Sequence, residues 1–213
     1  MTPVSFDRLG SVLCLGAHAD DIEIGCGGAL CKIMEQSPEV AIHWVVFSAN
    51  QERAEEARRS AEAFLKPAAD HSIRLYDFRD SYFPYQEEAI KDAFHQLAST
   101  YSPDLIFTHR PDDAHQDHRV LSNLTWCAFR KHAILEYEIP KYEGDLGQPN
   151  MLVPLSEAQA QRKVDHLVSA FPSQADKPWY DADTFRALMR IRGLECHSSS
   201  RYAEGFYARK WVL

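Results

Sequence analysis

The stretch Leu13–Gly28 reads LCLGAHADDIEIGCGG and joins an apolar run, a polar tip and a glycine-rich segment. The apolar run ends in one imidazole and two adjacent carboxylates, and an apolar segment with helical spacing follows. This order predicts a β-strand, a loop at its carboxyl end and the start of a helix. In an open α/β sheet, ligands bind in the crevice outside the carboxyl ends of the strands. We therefore expect His18, Asp20 and Asp21 to face such a crevice.

Unpaired ionisable side chains are seldom buried, so this group needs a compensating partner or solvent. A divalent metal is one such partner, because an imidazole nitrogen and a carboxylate oxygen both bind Zn²⁺ while a second carboxylate stays beside the ion as a base. The alternative is that Asp20 or Asp21 caps a helix that begins near Ile22, with His18 as an ordinary loop residue. The first stretch by itself leaves both interpretations open.

Length and composition restrict the class of protein. The chain has 213 residues, 45% of them apolar and 25% charged, which is typical of one globular domain, and we predict a single domain over residues 1–213. The net charge of -8 and the lack of a basic block argue against a nucleic-acid partner. Five cysteines without a Cys-x-x-Cys pair indicate reduced thiols. With no signal pattern at the N-terminus and no long apolar run, we expect a cytoplasmic protein without a membrane span.

Hydrophobic periodicity predicts alternating strands and helices. Strands are expected at 12–15, 40–47, 73–78, 105–108, 134–139 and 151–155, the last at a sheet edge. Helices are expected at 25–36, 51–66, 87–100, from the second polar cluster to about 131, at 156–170 with Ser156 as N-cap, and at 184–193 closed by Gly193. No element is assigned in the tail, 195–213. This alternation predicts an α/β fold, a Rossmann-like three-layer sandwich with a mostly parallel central sheet.

A second polar cluster, His109–Arg119, follows the strand predicted at 105–108 and reads HRPDDAHQDHR. His115 and His118 are three residues apart and share one face of a helix. The alternative is a surface loop whose aspartates cap that helix, and we assign Asp112 and Asp113 individually to such turn or cap roles. Both clusters follow strands of one parallel sheet, so we expect them to meet at one metal. Three protein ligands and an open position are typical of a catalytic zinc site.

Motifs in both clusters resemble the signatures of the LmbE-like (PIG-L) N-deacetylase family. His18–Asp21 with the glycines of Gly25–Gly28 is similar to the family's His-Pro-Asp-Asp-x-x-x-Gly-x-Gly-Gly, and His115–His118 is similar to its His-x-Asp-His. Ala19 stands where proline is usual, which is expected to loosen the turn slightly. The resemblance covers nearly the whole chain, including an Arg-x-x-Glu spacing from Arg53 and a C-terminal pattern at Arg192, Gly193, Tyr202, Ala203, Glu204 and Phe206.

This resemblance implies a role for each motif residue. It implies His18, Asp21 and His118 as metal ligands and Asp20 as general base. It also implies that His115 stabilises the oxyanion and that Asp117 orients a histidine ring. The implied enzyme is a zinc-dependent deacetylase, a hydrolase in which a metal-activated water cleaves the acetamide of an N-acetylglucosamine-type sugar or glycoconjugate. Fe²⁺ and Co²⁺ are also compatible with such a site.

Loops at the same end of the predicted sheet supply candidates for substrate binding. We assign Arg53, Asp80, Arg110 and His197 to this role, because loops at the carboxyl ends of strands carry function disproportionately. Each of them is also an acceptable surface residue. The expected partner is a small N-acetylated amino sugar or its conjugate, and a homo-oligomer is compatible with the sequence.

Three other functions are compatible with parts of this sequence. A metal-dependent hydrolase of another amide would use the same site. A receiver-like signalling module also binds Mg²⁺ at adjacent aspartates, but it needs a phosphorylatable aspartate after the third strand and a later lysine, and it leaves the second cluster unexplained. A nucleotide-binding module is disfavoured because Gly25–Gly28 has neither the dinucleotide nor the Walker spacing.

Overall fold

A computed structural model describes residues 9–211, apart from the side chains of residues 51 and 52. The expectations for the N-terminal residues 1–8 therefore lie outside the described residues. The strands are β1 (Ser11–Gly16), β2 (Ala41–Val46), β3 (Asp70–Leu75), β4 (Leu105–His109), β5 (Ala133–Tyr137), β6 (Met151–Leu155) and β7 (Tyr202–Tyr207). The α-helices are α1 (Asp21–Gln36), α2 (Gln51–Leu65), α3 (Glu87–Thr100), α4 (Gln116–Ala128), α5 (Glu157–Ala170) and α6 (Ala182–Glu195).

Within residues 9–211 the strands form one sheet in the order β3-β2-β1-β4-β5-β7-β6. The first five are parallel, and β7 runs antiparallel to both β5 and β6. The chain runs outward from β1 to β3 and then returns to place β4 on the other side of β1. After β1 and after β4 the chain continues to helices on opposite faces of the sheet. The gap between these two loops, at the carboxyl ends of the strands, is where α/β sheets form a ligand crevice.

Helices cover both faces of the sheet. Successive residues of β1 point to opposite faces, so Val12 and Cys14 join one apolar core while Leu13 and Leu15 join the other. The first core contains the buried residues of α1, α2, α5 and α6, and the second contains those of α3 and α4. The predicted three-layer, mostly parallel α/β fold is confirmed.

The C-terminal tail contains a strand that the sequence analysis misses. Residues Ala203–Phe206 of β7 are all buried, so this strand lacks the alternation of exposed and buried positions that reveals an ordinary edge strand. Glu204 also interrupts its apolar run. Its carboxylate accepts hydrogen bonds from the backbone N–H groups of Gly28 and Ala29 at 2.7 and 2.6 Å, and Lys163 lies 2.6 Å away. Because these partners are distant in sequence, the pattern gives no local signal.

Helix α1 begins at Asp21, four residues before the predicted start, so the glycine-rich segment is helical rather than a turn. A Cβ at Gly25 would lie 2.2 Å from the ring of Tyr137, and one at Gly28 would lie 2.4 Å from Leu155. The glycines therefore let α1 pack closely on the sheet and present the acidic end of the helix to the crevice.

Three other expectations have clear outcomes. Ser156 is the N-cap of α5, as predicted, and it also forms a capping box with Gln159. Gly193 does not close α6 but lies within it, where a Cβ would meet the backbone oxygen of Arg201 at 2.1 Å. Strand β3 occupies Asp70–Leu75 instead of 73–78, because its polar first residues pair with β2.

None of the helices described over residues 9–211 is long and apolar enough to cross a bilayer.

Candidate active site

Both polar clusters meet at the carboxyl ends of β1 and β4. His18 lies in the loop after β1, and Asp21 is the first residue of α1. His115 is the N-cap of α4, whose first turn holds Asp117 and His118. The structure therefore brings together side chains that lie about a hundred positions apart in the sequence, as the placement of the two clusters predicts.

The atoms of the three implied ligands lie at metal-binding spacing. Nδ1 of His18 is 3.1 Å from Nε2 of His118 and 3.3 Å from Oδ2 of Asp21, and the last two atoms are 3.6 Å apart. Ligands about 2.0–2.1 Å from a tetrahedral ion lie about 3.3 Å from one another. This donor set of two imidazoles and one carboxylate thus fits a divalent cation.

Asp117 lies behind His18. Its Oδ2 is 3.4 Å from Nε2 of His18, and its two oxygens accept backbone hydrogen bonds from Ser81 at 2.6 Å and Phe83 at 3.1 Å. Asp80 also approaches the same imidazole nitrogen, at 3.2 Å. Burial by itself lowers the pKa of His18, but Asp21, Asp117 and Asp80 outweigh it and raise the pKa well above its usual value.

His118 is held by a carboxylate that the sequence analysis assigned to a turn. Oδ2 of Asp113 lies 3.0 Å from Nδ1 of His118, and Asp113 itself is 1% exposed. Lys141 reaches the other oxygen of Asp113 at 3.1 Å. Burial, with His109 nearby, lowers the pKa of His118 to about 3, so the ring stays neutral as a metal ligand must be. Asp113 keeps its predicted place in the loop before α4, where it accepts the backbone N–H of His115 at 2.8 Å, and it also contacts the ring of His118.

His109 is a second residue that the sequence analysis did not assign to the site. It is the last residue of β4, fully buried, and its ring stacks on that of His118 with centroids 3.8 Å apart. Its Nε2 lies 3.1 Å from Oδ2 of Asp21 and accepts the backbone N–H of Ala17 at 3.0 Å. Because the N–H of Ala17 occupies the lone pair of Nε2, that nitrogen is not free to bind a metal, and His109 supports the site by stacking on His118. Its position directly after the apolar run 105–108 is the signal by which the sequence could have identified it.

Asp20 lies beside the ligand set and pairs with Arg53. Nη2 of Arg53 donates to Oδ1 of Asp20 at 2.9 Å, and Asp20 is 5% exposed. Burial raises the pKa of Asp20, while the positive charge of Arg53 opposes that shift. Asp20 is therefore a buried carboxylate that can hold a proton more readily than an exposed one.

His115 faces the cleft with one nitrogen already engaged. Its Nδ1 accepts the backbone N–H of Asp117 at 3.3 Å, which leaves the proton of the neutral ring on Nε2. Burial lowers the pKa of His115, and the neighbouring charge of His18 lowers it further. The ring is thus a neutral hydrogen-bond donor.

A cleft of about 340 Å³ opens at these residues. The predicted residues that line it are His18, Asp20, Asp21, Arg53, Asp80, His115 and His118. Two predicted substrate contacts lie elsewhere. The guanidinium of Arg110 donates to the hydroxyl of Tyr207 at 3.0 Å and to the backbone oxygens of Asp112 and Asp145, so it holds a loop in place. His197 is exposed in the turn after α6.

Comparisons with known proteins agree with this geometry. The family model PIG-L, described as GlcNAc-PI de-N-acetylase, matches residues 13–129, which is more than half of the chain. Among curated proteins, the uncharacterized deacetylase YaiS of Escherichia coli K12 is 28% identical over 148 residues, which cover 64% of this chain and 77% of YaiS.

Solved structures share the fold. N,N′-diacetylchitobiose deacetylase from Pyrococcus horikoshii is 22% identical, with a TM-score of 0.68, and the match covers 94% of this chain and 84% of that one. GalB, the 4-carboxy-2-hydroxymuconate hydratase of Pseudomonas putida KT2440, is 18% identical with a TM-score of 0.69, and the match covers 95% and 97%. These two proteins carry out different reactions, so the fold alone does not choose between them. From the family model and from the two motifs that meet in its site, the chain belongs to the PIG-L de-N-acetylase family.

Proposed function

We propose that this protein is a metal-dependent N-deacetylase that hydrolyses the acetamide of an N-acetylglucosamine-type sugar or glycoconjugate. One observation carries the proposal: a buried carboxylate, Asp20, lies next to three ligand atoms spaced for one cation, and all of them line one cleft. Family membership supports this reaction and argues against the receiver-like and nucleotide-binding alternatives.

The ion would be held by His18, Asp21 and His118. A divalent ion bound there would lower the pKa of a water molecule and polarise a carbonyl group. A set of two imidazoles and one carboxylate suits Zn²⁺, and it also accepts Fe²⁺ or Co²⁺, so we assign zinc first.

Asp20 carries the proton in this proposal. Its carboxylate accepts a proton from the water as the new C–O bond forms at the acetamide carbon, and it returns that proton to the amine as the C–N bond breaks. A raised pKa suits both steps, because the group must hold the proton between them. Arg53 fixes the carboxylate by binding its Oδ1.

His115 stabilises the oxyanion. The acetamide oxygen becomes negative as the tetrahedral intermediate forms, and a preorganised donor aimed at it lowers the barrier. The backbone of Asp117 fixes the ring so that Nε2–H is directed away from α4, and this N–H donates to that oxygen. His115 needs no protonation to act in this way.

Acetate release from a panel of N-acetyl compounds tests the proposal. We expect the metal-loaded protein to release acetate from N-acetylglucosaminides and to leave N-acetylated amino acids intact. The reverse preference would favour the alternative, a metal-dependent hydrolase of another amide. A cytoplasmic location, the lack of a nucleic-acid partner, a single domain over residues 1–213 and a homo-oligomer stay predictions of the sequence.

A further inference from the structure

Two aromatic side chains line the cleft beside the metal-binding residues. Tyr142 follows β5, and Trp179 precedes α6. Their ring centroids are 6.5 Å apart and their planes make an angle of 81°. We call this pair the aromatic ledge. Neither ring has a role in the hydrolysis described above.

The aromatic ledge exposes apolar surface to the solvent in the cleft. Tyr142 is 71% exposed, and Trp179 is half-buried. Large aromatic side chains supply much of the binding energy in ligand sites, and apolar surface that is exposed in a cleft marks such sites. Tyr142 thus presents most of its ring to the cleft, while Trp179 packs against the core with part of its ring and presents the rest to the cleft.

The tyrosine side of the ledge is fixed relative to the metal ligands. Its neighbour Lys141 lies 3.1 Å from Asp113, the carboxylate that holds His118, and donates to Asp145 at 2.6 Å. Arg110 holds the same loop through the backbone oxygen of Asp145. The position of Tyr142 is thus coupled through two side chains to the ring of a metal ligand.

The tryptophan side is fixed by packing. The ring of Trp179 contacts that of Tyr180 edge to face, with centroids 5.4 Å apart. Tyr180 is 6% exposed, and its hydroxyl donates to the backbone oxygen of Leu167 at 3.3 Å. A ledge that is ordered before binding loses little entropy when a ligand arrives.

The charges near the ledge indicate a neutral ligand. The cations Arg53 and Lys141 are paired with Asp20 and with Asp113 and Asp145. Of the other charged side chains that line the cleft, Asp80 lies 3.2 Å from His18, and Lys177 and Glu143 have opposite signs. They can donate to and accept from hydroxyl groups, but together they offer no excess charge to a phosphate or carboxylate.

We propose that the aromatic ledge is a subsite for a second, neutral pyranose ring attached to the acetylated sugar. This inference rests on the proposed function, because that function places the acetamide at the metal-binding residues. The second ring lies in the angle between Trp179 and Tyr142, with its apolar C–H face on one ring and its edge against the other. Its hydroxyl groups reach Lys177 and Glu143. The preferred substrate is then at least a disaccharide.

Two sugars of different length test the ledge. The probes are methyl N-acetyl-β-glucosaminide and the disaccharide in which N-acetylglucosamine is β-1,4-linked to glucose. We expect kcat/KM for acetate release to be about tenfold higher for the disaccharide, the scale of one good aromatic contact. Trp179→Ala and Tyr142→Ala should lower that ratio toward one, and Trp179→Phe should keep most of it. Tyr85→Ala is the control, because Tyr85 is 82% exposed and does not line the cleft.

Binding measurements separate this inference from the proposed function. Calorimetry on the metal-free protein should show tighter binding of the disaccharide than of the methyl glycoside, and Trp179→Ala should remove the difference. Equal binding of the two sugars, or a ratio unchanged in Trp179→Ala, would overturn the ledge even if acetate is released. If neither sugar loses acetate but the disaccharide binds more tightly through Trp179, the ledge holds and the deacetylase proposal fails.

Discussion

Nδ1 of His118 lies 3.0 Å from Oδ2 of Asp113, and Nε2 of the same ring lies 3.1 Å from Nδ1 of His18. One ring nitrogen thus lies against a carboxylate while the other is presented to the remaining ligands. A carboxylate behind a ligating histidine fixes the tautomer and strengthens the ligand. The contact explains why a buried acid follows the exposed Asp112 in the sequence.

Replacing Asp113 should weaken metal binding without abolishing it. We expect Asp113→Asn to reduce the affinity for Zn²⁺ by about 10–100-fold, because the ring of His118 loses its anchoring carboxylate. Competition with a chelator of known affinity measures the change. Asp112→Asn is the matched control, since Asp112 is exposed and adjacent. Equal affinities in the two variants would show that the contact has no role in holding the ligand.

Asp20 and His118 should separate catalysis from metal binding. We expect Asp20→Ala to retain about one metal ion per chain and to lose at least ~100-fold in rate, the usual weight of a general base. His118→Ala should lose the metal and the activity together. Elemental analysis and acetate release on the same preparations measure both. Loss of the metal from Asp20→Ala would instead make Asp20 a ligand.

Two glycines on helices should respond in opposite ways to the addition of a methyl group. In Gly193→Ala the new carbon would lie 2.1 Å from the backbone oxygen of Arg201, so we expect the free energy of unfolding to fall by about 1–3 kcal/mol. In Gly27→Ala the nearest atom, on Phe64, is 3.5 Å away, so the gain in helix propensity, up to about 1 kcal/mol, should survive. Urea unfolding of both variants checks this. A stable Gly193→Ala would contradict the close approach of α6 and the segment before β7.

His166 should make the protein less stable in acid. Its Nε2 lies 2.7 Å from the hydroxyl of Ser60, and burial, with Arg162 nearby, lowers its pKa from 6.5 to about 4. Between these values the unfolded chain binds more protons at this histidine than the folded one, so the contribution of His166 to the free energy of unfolding falls as the pH decreases from about 6.5 to about 4. The stability contributed by the neutral ring is complete above pH 6.5.

Urea unfolding of the metal-free protein across that pH range measures the effect. We expect His166→Gln to lose less stability than the wild type as the pH falls. His95→Gln, at an exposed position of α3, should follow the wild-type profile. Parallel profiles for His166→Gln and the wild type would show that this histidine does not contribute.

Local signals in the sequence were enough to predict the fold and to predict that the two polar clusters meet at one cleft. Apolar runs that end in His18 and in His109 mark the carboxyl ends of β1 and β4, and parallel topology brings such ends together. The spacing of His115 and His118 predicts two rings on one helix face; the structure has His115 as the N-cap of α4 instead, and its ring still stacks on that of His118 with centroids 4.6 Å apart. These inferences needed no knowledge of distant contacts.

The rest of the site depends on contacts between residues that are remote in sequence. The sequence around Asp113 predicts only a turn residue. Its contacts with His118 and Lys141 come from the tertiary structure. Arg110 lies at the expected end of the sheet, yet its guanidinium points to Tyr207 and the following loop instead of the cleft. Tertiary packing sets the direction of a loop side chain, and the hydrophobic periodicity of the sequence does not predict it.

Titration of metal into the chelated protein tests whether acetate release depends on the bound ion. We expect the chelated protein to release no acetate from N-acetylglucosaminides, and release to return in proportion to added Zn²⁺, Fe²⁺ or Co²⁺ until about one ion is bound per chain. Acetate release that is unaffected by chelation would contradict it. So would a full equivalent of bound metal with no acetate released from any N-acetyl sugar.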